Sequence, residues 1–205
     1  MLKKICILDY GLGNIKSLLN ALNKIGYKPS LYSANKNKTF DLIFLPGVGS
    51  FNKASNILLN DQYLSFLNEQ NKQAIIFGIC LGMQLFATEG EENGKSNGFN
   101  YIPGKTEKLK NLDNKIVLPF VGYFEVSFKS NLKYLLEFNN SKFYFVHSFK
   151  FVPNSNKNIL STTVNQGITY CSSALKDRYI GTQFHPEKSG DNGLEFLKAV
   201  IKNNI

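Results

Sequence analysis

Ala74-Ile75-Ile76-Phe77-Gly78-Ile79-Cys80-Leu81-Gly82-Met83-Gln84-Leu85-Phe86-Ala87 sets a cysteine between two glycines and two apolar runs. The run 74–77 reads as a buried strand and 83–87 as the start of a helix. A cysteine at such a junction has the form of a nucleophile elbow, the thiol counterpart of Gly-x-Ser-x-Gly. The glycines permit the tight turn. The helix N-terminus favours the thiolate. Attack on a carbonyl is the chemistry this suggests; a buried structural cysteine beside a turn is the competing reading.

Working outward, strand and helix alternate through the first half. Strands are expected over 4–8, 29–32 and 41–45. A helix is expected over 14–25, with Ile15, Leu18, Leu19, Leu22 and Ile25 on one stripe and Gly26 as its stop. Helical material follows over 53–71 and again over 83–89. From about residue 105 the rhythm changes to successive strands over 116–118, 123–128, 143–146, 159–163, 168–175 and 179–183, with a closing helix over 193–201. This pattern predicts an α/β fold: a mostly parallel central sheet flanked by helices, with an antiparallel second half. Ligands of such sheets bind at the carboxyl ends of strands. No internal repeat or long linker divides the chain, so a single domain over 1–205 is expected. The loop 90–98 is polar and mobile-looking.

Partners for Cys80 lie far along the chain. Gln183-Phe184-His185-Pro186-Glu187 follows the apolar run 179–182. His185 can take the thiol proton and return it to a leaving group, and Glu187 can orient the imidazole. On an extended strand end, side chains two apart point the same way. The other histidine, His147, sits in an aromatic strand with no acid nearby and reads as a packed, hydrogen-bonded residue near a site. Leu45-Pro46-Gly47-Val48-Gly49-Ser50-Phe51 is a Gly-rich turn after a strand. Its N–H groups could serve an oxyanion or a phosphate, though the Lys-Ser/Thr pair of a P-loop is missing.

Asp9–Asn14, Pro46–Phe51, Gly78–Gln84, Tyr144–Ser148 and Gln183–Gly190 occur in the order found in the class I (triad) glutamine amidotransferases, which this chain resembles from about residue 3 to its last helix. The details are similar to the branch that forms the glutaminase (HisH-type) subunit of imidazole glycerol phosphate synthase. The resemblance implies a flavodoxin-like fold and hydrolysis of glutamine without cofactor or metal. It implies Cys80 as nucleophile, His185 as base and Glu187 as its orienting acid. The backbone N–H groups of Val48 and Leu81 would form the oxyanion hole, Val48 after a flip of the Gly47-Val48 peptide. Gly49, Gln84 and Ser148 would bind glutamine. Tyr144 and Lys188 would lie near the ammonia exit. The partner would be a HisF-type (β/α)8 barrel synthase subunit in a heterodimer, holding the glutaminase nearly idle until that barrel carries its own ligand.

One stretch departs from the family pattern. Members usually carry Pro-His-Met-Gly-Trp-Asn where this chain has Pro119-Phe120-Val121-Gly122-Tyr123-Phe124. In the family that stretch, with Phe120 and Tyr123 here, faces the synthase. Two destinations for the ammonia therefore stay open: the ring of imidazole glycerol phosphate in histidine biosynthesis, or a sugar amidotransferase of surface-glycan synthesis fed by a paralogous barrel. A catalytically dead binding subunit is the third reading, against which the intact Cys80, His185 and Glu187 speak.

Composition narrows the rest. The net charge is +9 with pI about 9.3, but the lysines are scattered and Arg178 is the only arginine. No basic block interleaves with aromatics, so nucleic acid is not expected; a basic face could dock an acidic partner. Cys6, Cys80 and Cys171 are an odd, widely spaced set, which argues against a disulfide framework and for a reducing compartment. Cys6 and Cys171 read as inert core thiols. The N-terminal apolar run is too short for a signal peptide, and no stretch approaches membrane-spanning length. A cytoplasmic location is expected.

Overall fold

The computed structural model describes residues 4–32, 39–70, 74–110, 116–129 and 132–204. Fourteen strands are described. They are β1 (Ile5–Leu8), β2 (Ser30–Tyr32), β3 (Leu42–Gly47), β4 (Ile75–Cys80), β5 (Glu89–Gly90), β6 (Ser96–Asn97), β7 (Gly104–Lys108), β8 (Phe120–Glu125), β9 (Ser127–Phe128), β10 (Lys142–His147), β11 (Phe149–Pro153), β12 (Ile159–Asn165), β13 (Ile168–Lys176) and β14 (Tyr179–Thr182). The helices are α1 (Ile15–Lys24), α2 (Phe51–Leu58), α3 (Asp61–Gln70), α4 (Leu81–Gln84), α5 (Lys133–Leu136) and α6 (Gly190–Asn204).

Eight strands form the main sheet in the order β2-β1-β3-β4-β14-β13-β12-β9. The first five pair parallel; β14, β13, β12 and β9 then pair antiparallel in turn. This is the mixed α/β sheet that the switch in sequence rhythm predicts. Alternation along the strands divides the core between the two faces. Ile5, Ile7, Leu42, Phe44, Phe77 and Ile79 pack with Leu18 and Leu22 of α1 and Phe196 and Leu197 of α6. Cys6, Leu8, Ile43, Leu45 and Ile76 pack with Ala54 and Leu58 of α2 and Phe66 and Leu67 of α3. Asn14 caps α1, its side chain accepting from Ser17 N–H, and Gly26 follows the helix at φ +91°. The helical stretch expected over 53–71 is two helices broken between Leu58 and Asp61; residue 71 lies outside the described residues.

Several expected elements differ. The segment 116–118 is not a strand, because the Gln166 side-chain amide takes both the N–H and the C=O of Val117. Strand β8 instead begins at Phe120, pairs with β10 and stands apart from the main sheet. Strands β7 and β11 pair in a third sheet that the periodicity did not reveal. The loop 90–98 is a hairpin fastened to α2: Asn52 Nδ2 donates to Ser96 Oγ at 2.7 Å and Ser55 Oγ to the Asn97 carbonyl at 2.5 Å.

Candidate active site

Strand β4 continues past Phe77, and Cys80 pairs opposite Gly47 at the ends of β4 and β3. The chain then turns directly into α4. Cys80 has φ +54° and ψ −107°, a conformation that costs a non-glycine residue about 1–3 kcal/mol. Both glycines are required by close approach. A Cβ on Gly82 would strike the Leu45 carbonyl oxygen, and one on Gly78 would lie 2.6 Å from the Gly82 backbone. The expected helix over 83–89 is a single turn, Leu81–Gln84. The carbonyls of Leu85, Phe86, Ala87 and Thr88 instead accept from Phe99, Ile102, Asn100 and Gly98, so no further helical turn can form. One turn carries little macrodipole, and other groups must hold charge on the sulfur.

His185 and Glu187 meet as their spacing suggested, but not on an extended strand. His185 caps a 3-10 turn, Pro186–Lys188, which folds Glu187 back beneath the imidazole. Nδ1 lies 2.8 Å from Glu187 Oε1, and both side chains are almost fully buried. The His185 backbone is clamped: its N–H donates to the Tyr144 carbonyl at 2.8 Å, and Ser189 Oγ donates to its carbonyl at 2.6 Å. Nε2 makes no hydrogen bond, and Cys80 acts on the ring electrostatically. Burial alone would lower the His185 pKa. The Cys80 thiolate and the Glu187 carboxylate outweigh it and push the value up to about 10. The arrangement thus favours an imidazolium at His185. Cys6 and Cys171 are pushed up to about 12 by burial and stay protonated thiols.

Cys80 opens into a pocket of about 480 Å³. Val48, Gly49, Leu81, Gln84 and Ser148 all line it, as the sequence reading required. The Leu81 N–H stands at the open start of α4, where a helix supplies no partner. The Val48 N–H does not face the pocket: it donates to the Leu12 carbonyl at 2.7 Å. Gln84 is only 4 % exposed. Its Nε2 donates to the Phe149 carbonyl and to Gln183 Oε1, both at 3.0 Å, which leaves Oε1 for a ligand. His147 is also a wall residue, with Nδ1 2.8 Å from the Phe149 carbonyl and its pKa lowered by burial to about 4. Among the described residues, no group of three or more His, Cys, Asp or Glu side chains could hold a metal, and no helix is long and apolar enough to cross a membrane.

Two residues escaped the sequence reading. Glu92 reaches the pocket from the β5–β6 hairpin and accepts the Phe51 N–H at the start of α2 at 2.7 Å; burial raises its pKa. Nothing local in the sequence marks it. Gln183 Nε2 approaches Cys80 Sγ at 3.5 Å. Its position two before His185 was the available signal, since both then leave the strand end on one side.

The expected rim divides in two. Tyr144 and Tyr123 are register partners with ring centroids 5.5 Å apart, and Lys188 Nζ lies 5.9 Å from the Tyr144 ring. Tyr123 is half-exposed, and its hydroxyl donates to the Lys188 carbonyl at 2.9 Å. Phe120 is not on this surface. It is buried against His147 and Tyr170. Three positions along a strand reverse the side of the side chain, so residues 120 and 123 cannot share a face.

Comparison with known proteins agrees with this geometry. The family model "Glutamine amidotransferase class-I" matches residues 6–203. The chain is 39 % identical over 204 residues to imidazole glycerol phosphate synthase subunit HisH 2 of Methanococcus maripaludis, covering 97 % of this chain and 98 % of the relative. It is 40 % identical to imidazole glycerol phosphate synthase subunit HisH of Buchnera aphidicola, with the same coverage. In fold it is similar to a chain of the Thermotoga maritima PurLQS structure, with TM-score 0.73 at 18 % identity, covering 98 % and 99 % of the two chains. With a match that spans nearly the whole chain and relatives this close over their full length, the protein belongs to the class I glutamine amidotransferases.

Proposed function

We propose that this chain is the glutaminase subunit of an imidazole glycerol phosphate synthase, hydrolysing glutamine and passing ammonia to a HisF-type (β/α)8 barrel. The observation that carries the chemistry is the His185 Nδ1 to Glu187 Oε1 contact of 2.8 Å, in a histidine that interacts electrostatically with a strained Cys80 lining a pocket. The pathway rests on the HisH relatives matched over nearly their whole length. The altered stretch 119–124 weighs less against it than the sequence implied. Phe120 and Phe124 turn into the core, so the outward change is confined to Val121 and Tyr123.

In this reading the Cys80 thiolate attacks the side-chain amide carbon of glutamine. The C–S bond forms and the carbonyl oxygen becomes an oxyanion, held by the Leu81 N–H. His185 Nε2 gives its proton to the amide nitrogen, the C–N bond breaks, and ammonia leaves. A water loses a proton to His185 and attacks the thioester, releasing glutamate and restoring the thiolate. Glu187 stabilises the imidazolium throughout. Glu92, the one carboxylate on the pocket wall among the described residues, fits the substrate's α-ammonium group. Gln84 offers Oε1. The Val48 N–H joins the oxyanion hole only if the Gly47-Val48 peptide rotates away from the Leu12 carbonyl. That requirement keeps the enzyme slow until a partner drives the rotation. Removing one such donor typically costs about 10²–10³ in rate.

The test is glutamate release by the purified chain mixed with the HisF-type synthase of its own organism, with and without that synthase's nucleotide ligand. Ligand-dependent stimulation on the order of tenfold or more is expected. A folded chain that neither binds nor responds would move the acceptor to a sugar-amidating partner.

A further inference from the structure

Gln183 lies at the carboxyl end of β14, two residues before His185, and is fully buried. Its N–H is fixed to the Ser172 carbonyl at 2.9 Å, which ties the strand end to β13. The orientation of its amide follows from its neighbours. The Phe149 carbonyl can only accept, so the group beside it at 3.0 Å must be Gln84 Nε2. The second N–H of that nitrogen points at Gln183 from 3.0 Å, and an acceptor must stand there, which is Oε1. Nε2 of Gln183 is thereby turned to the Cys80 sulfur at 3.5 Å. A chain of donors runs from the Phe149 carbonyl through two amides to the sulfur. One strand end delivers two different groups to Cys80: an imidazole that exchanges protons, and an amide that can only donate a hydrogen bond.

We propose that Gln183 is a positioning residue for Cys80, its amide aimed by Gln84 so that it donates to the sulfur and favours the thiolate. The inference rests on the reading of Cys80 as the nucleophile. With α4 only one turn long, a side-chain donor supplies what a helix terminus would otherwise provide. The Val146 carbonyl, 3.9 Å from the sulfur, can only accept and so favours the thiol, while His185 Nε2 makes no formed hydrogen bond to the sulfur, which leaves the Gln183 amide as the side-chain donor in contact with it. The contact also links the substrate pocket to the nucleophile, because Gln84 lines the pocket while holding Gln183 in orientation.

The test is the pH dependence of Cys80 alkylation by iodoacetamide in the isolated chain, localised by peptide mass, and it needs no partner and no turnover. Cys80 lines the pocket, whereas Cys6 and Cys171 do not and serve as internal controls. Gln183→Glu, which keeps the volume, and Gln183→Leu, which removes the donor, are each expected to slow alkylation about tenfold below the midpoint of the profile and to move that midpoint up, as expected of one hydrogen bond to a charged group. Gln84→Leu, which frees the Gln183 amide to turn, is expected to give part of the same shift. Superimposable profiles in folded variants would overturn the proposal. Side-chain amide resonances of the unmutated, glutamine-labelled chain give a readout independent of variant folding. One glutamine amide pair is expected to titrate with the alkylation midpoint, and its absence would overturn the proposal. A Cys80 that resists alkylation at every pH would overturn the nucleophile reading itself, and this proposal with it.

Discussion

The ends of β10 and β14 each carry a histidine beside the pocket, and the two behave in opposite ways. His147 is 6 % exposed and His185 1 %. Each has Nδ1 2.8 Å from an oxygen and an Nε2 without a hydrogen-bond partner. At His147 the oxygen is the neutral Phe149 carbonyl, and burial drives the pKa down to about 4. At His185 burial acts in the same direction, yet the charges of Cys80 and Glu187 reverse it and push the value up to about 10. Two equally buried imidazoles are thus separated by the charge of what they touch. A neutral histidine packs a wall, whereas a charged one can hold and deliver a proton.

The largest test of that contrast removes each ring in turn. His185→Gln should lower partner-stimulated glutamate release by about 10³-fold or more, the loss typical of a missing acid–base member of such a triad. His147→Gln should cost no more than about tenfold, because proton transfer stays intact. Equal losses would erase the distinction. Glu187→Gln sharpens it by giving His185 a neutral oxygen at Nδ1, as His147 has, while Cys80 remains beside it. The His185 proton affinity should then fall, with kcat down by about 10²-fold or more and the alkaline limit of the activity profile moved down from near pH 10. An unchanged alkaline limit would mean that the carboxylate only orients the ring.

The smallest effect is on stability. The folded His147 pKa of about 4 lies below its ordinary 6.5. The unfolded chain therefore takes up a proton first as pH falls. The contribution of His147 is complete above pH 6.5 and is lost progressively from there toward pH 4, by up to about 3 kcal/mol. Urea unfolding at pH 7 and pH 5 should show the loss, and His147→Phe should flatten it.

Much of this site is visible in the chain because its signals are local. The elbow needs glycines at fixed offsets from Cys80, and Gly78 and Gly82 are both required by backbone contacts within a few residues or one strand away. His185 and Glu187 are two apart, so one turn brings them together whatever the rest of the fold does. The α1 stripe and its Asn14 cap are equally local. The misses are non-local. The helix after Cys80 stops after one turn because residues 98–102 take its carbonyls. The segment 116–118 is claimed by a side chain about fifty positions away. Glu92 enters the pocket only because its hairpin is fastened to α2.

By itself, then, the sequence determined the alternating fold, through periodicity, and singled out Cys80, His185 and Glu187 as a candidate thiol, imidazole and carboxylate, through patterns within a few residues. The order of the motifs carried the family resemblance. The tertiary structure decided which side each group faces and what surrounds it. It turned Phe120 inward and left Tyr123 at the rim, turned the Val48 N–H to Leu12, committed both donors of Gln84, and aimed Gln183 at the sulfur. It also made one histidine neutral and the other charged. Those outcomes depend on electrostatic and hydrogen-bond partners brought together from positions up to 103 residues apart, and no local pattern encodes them.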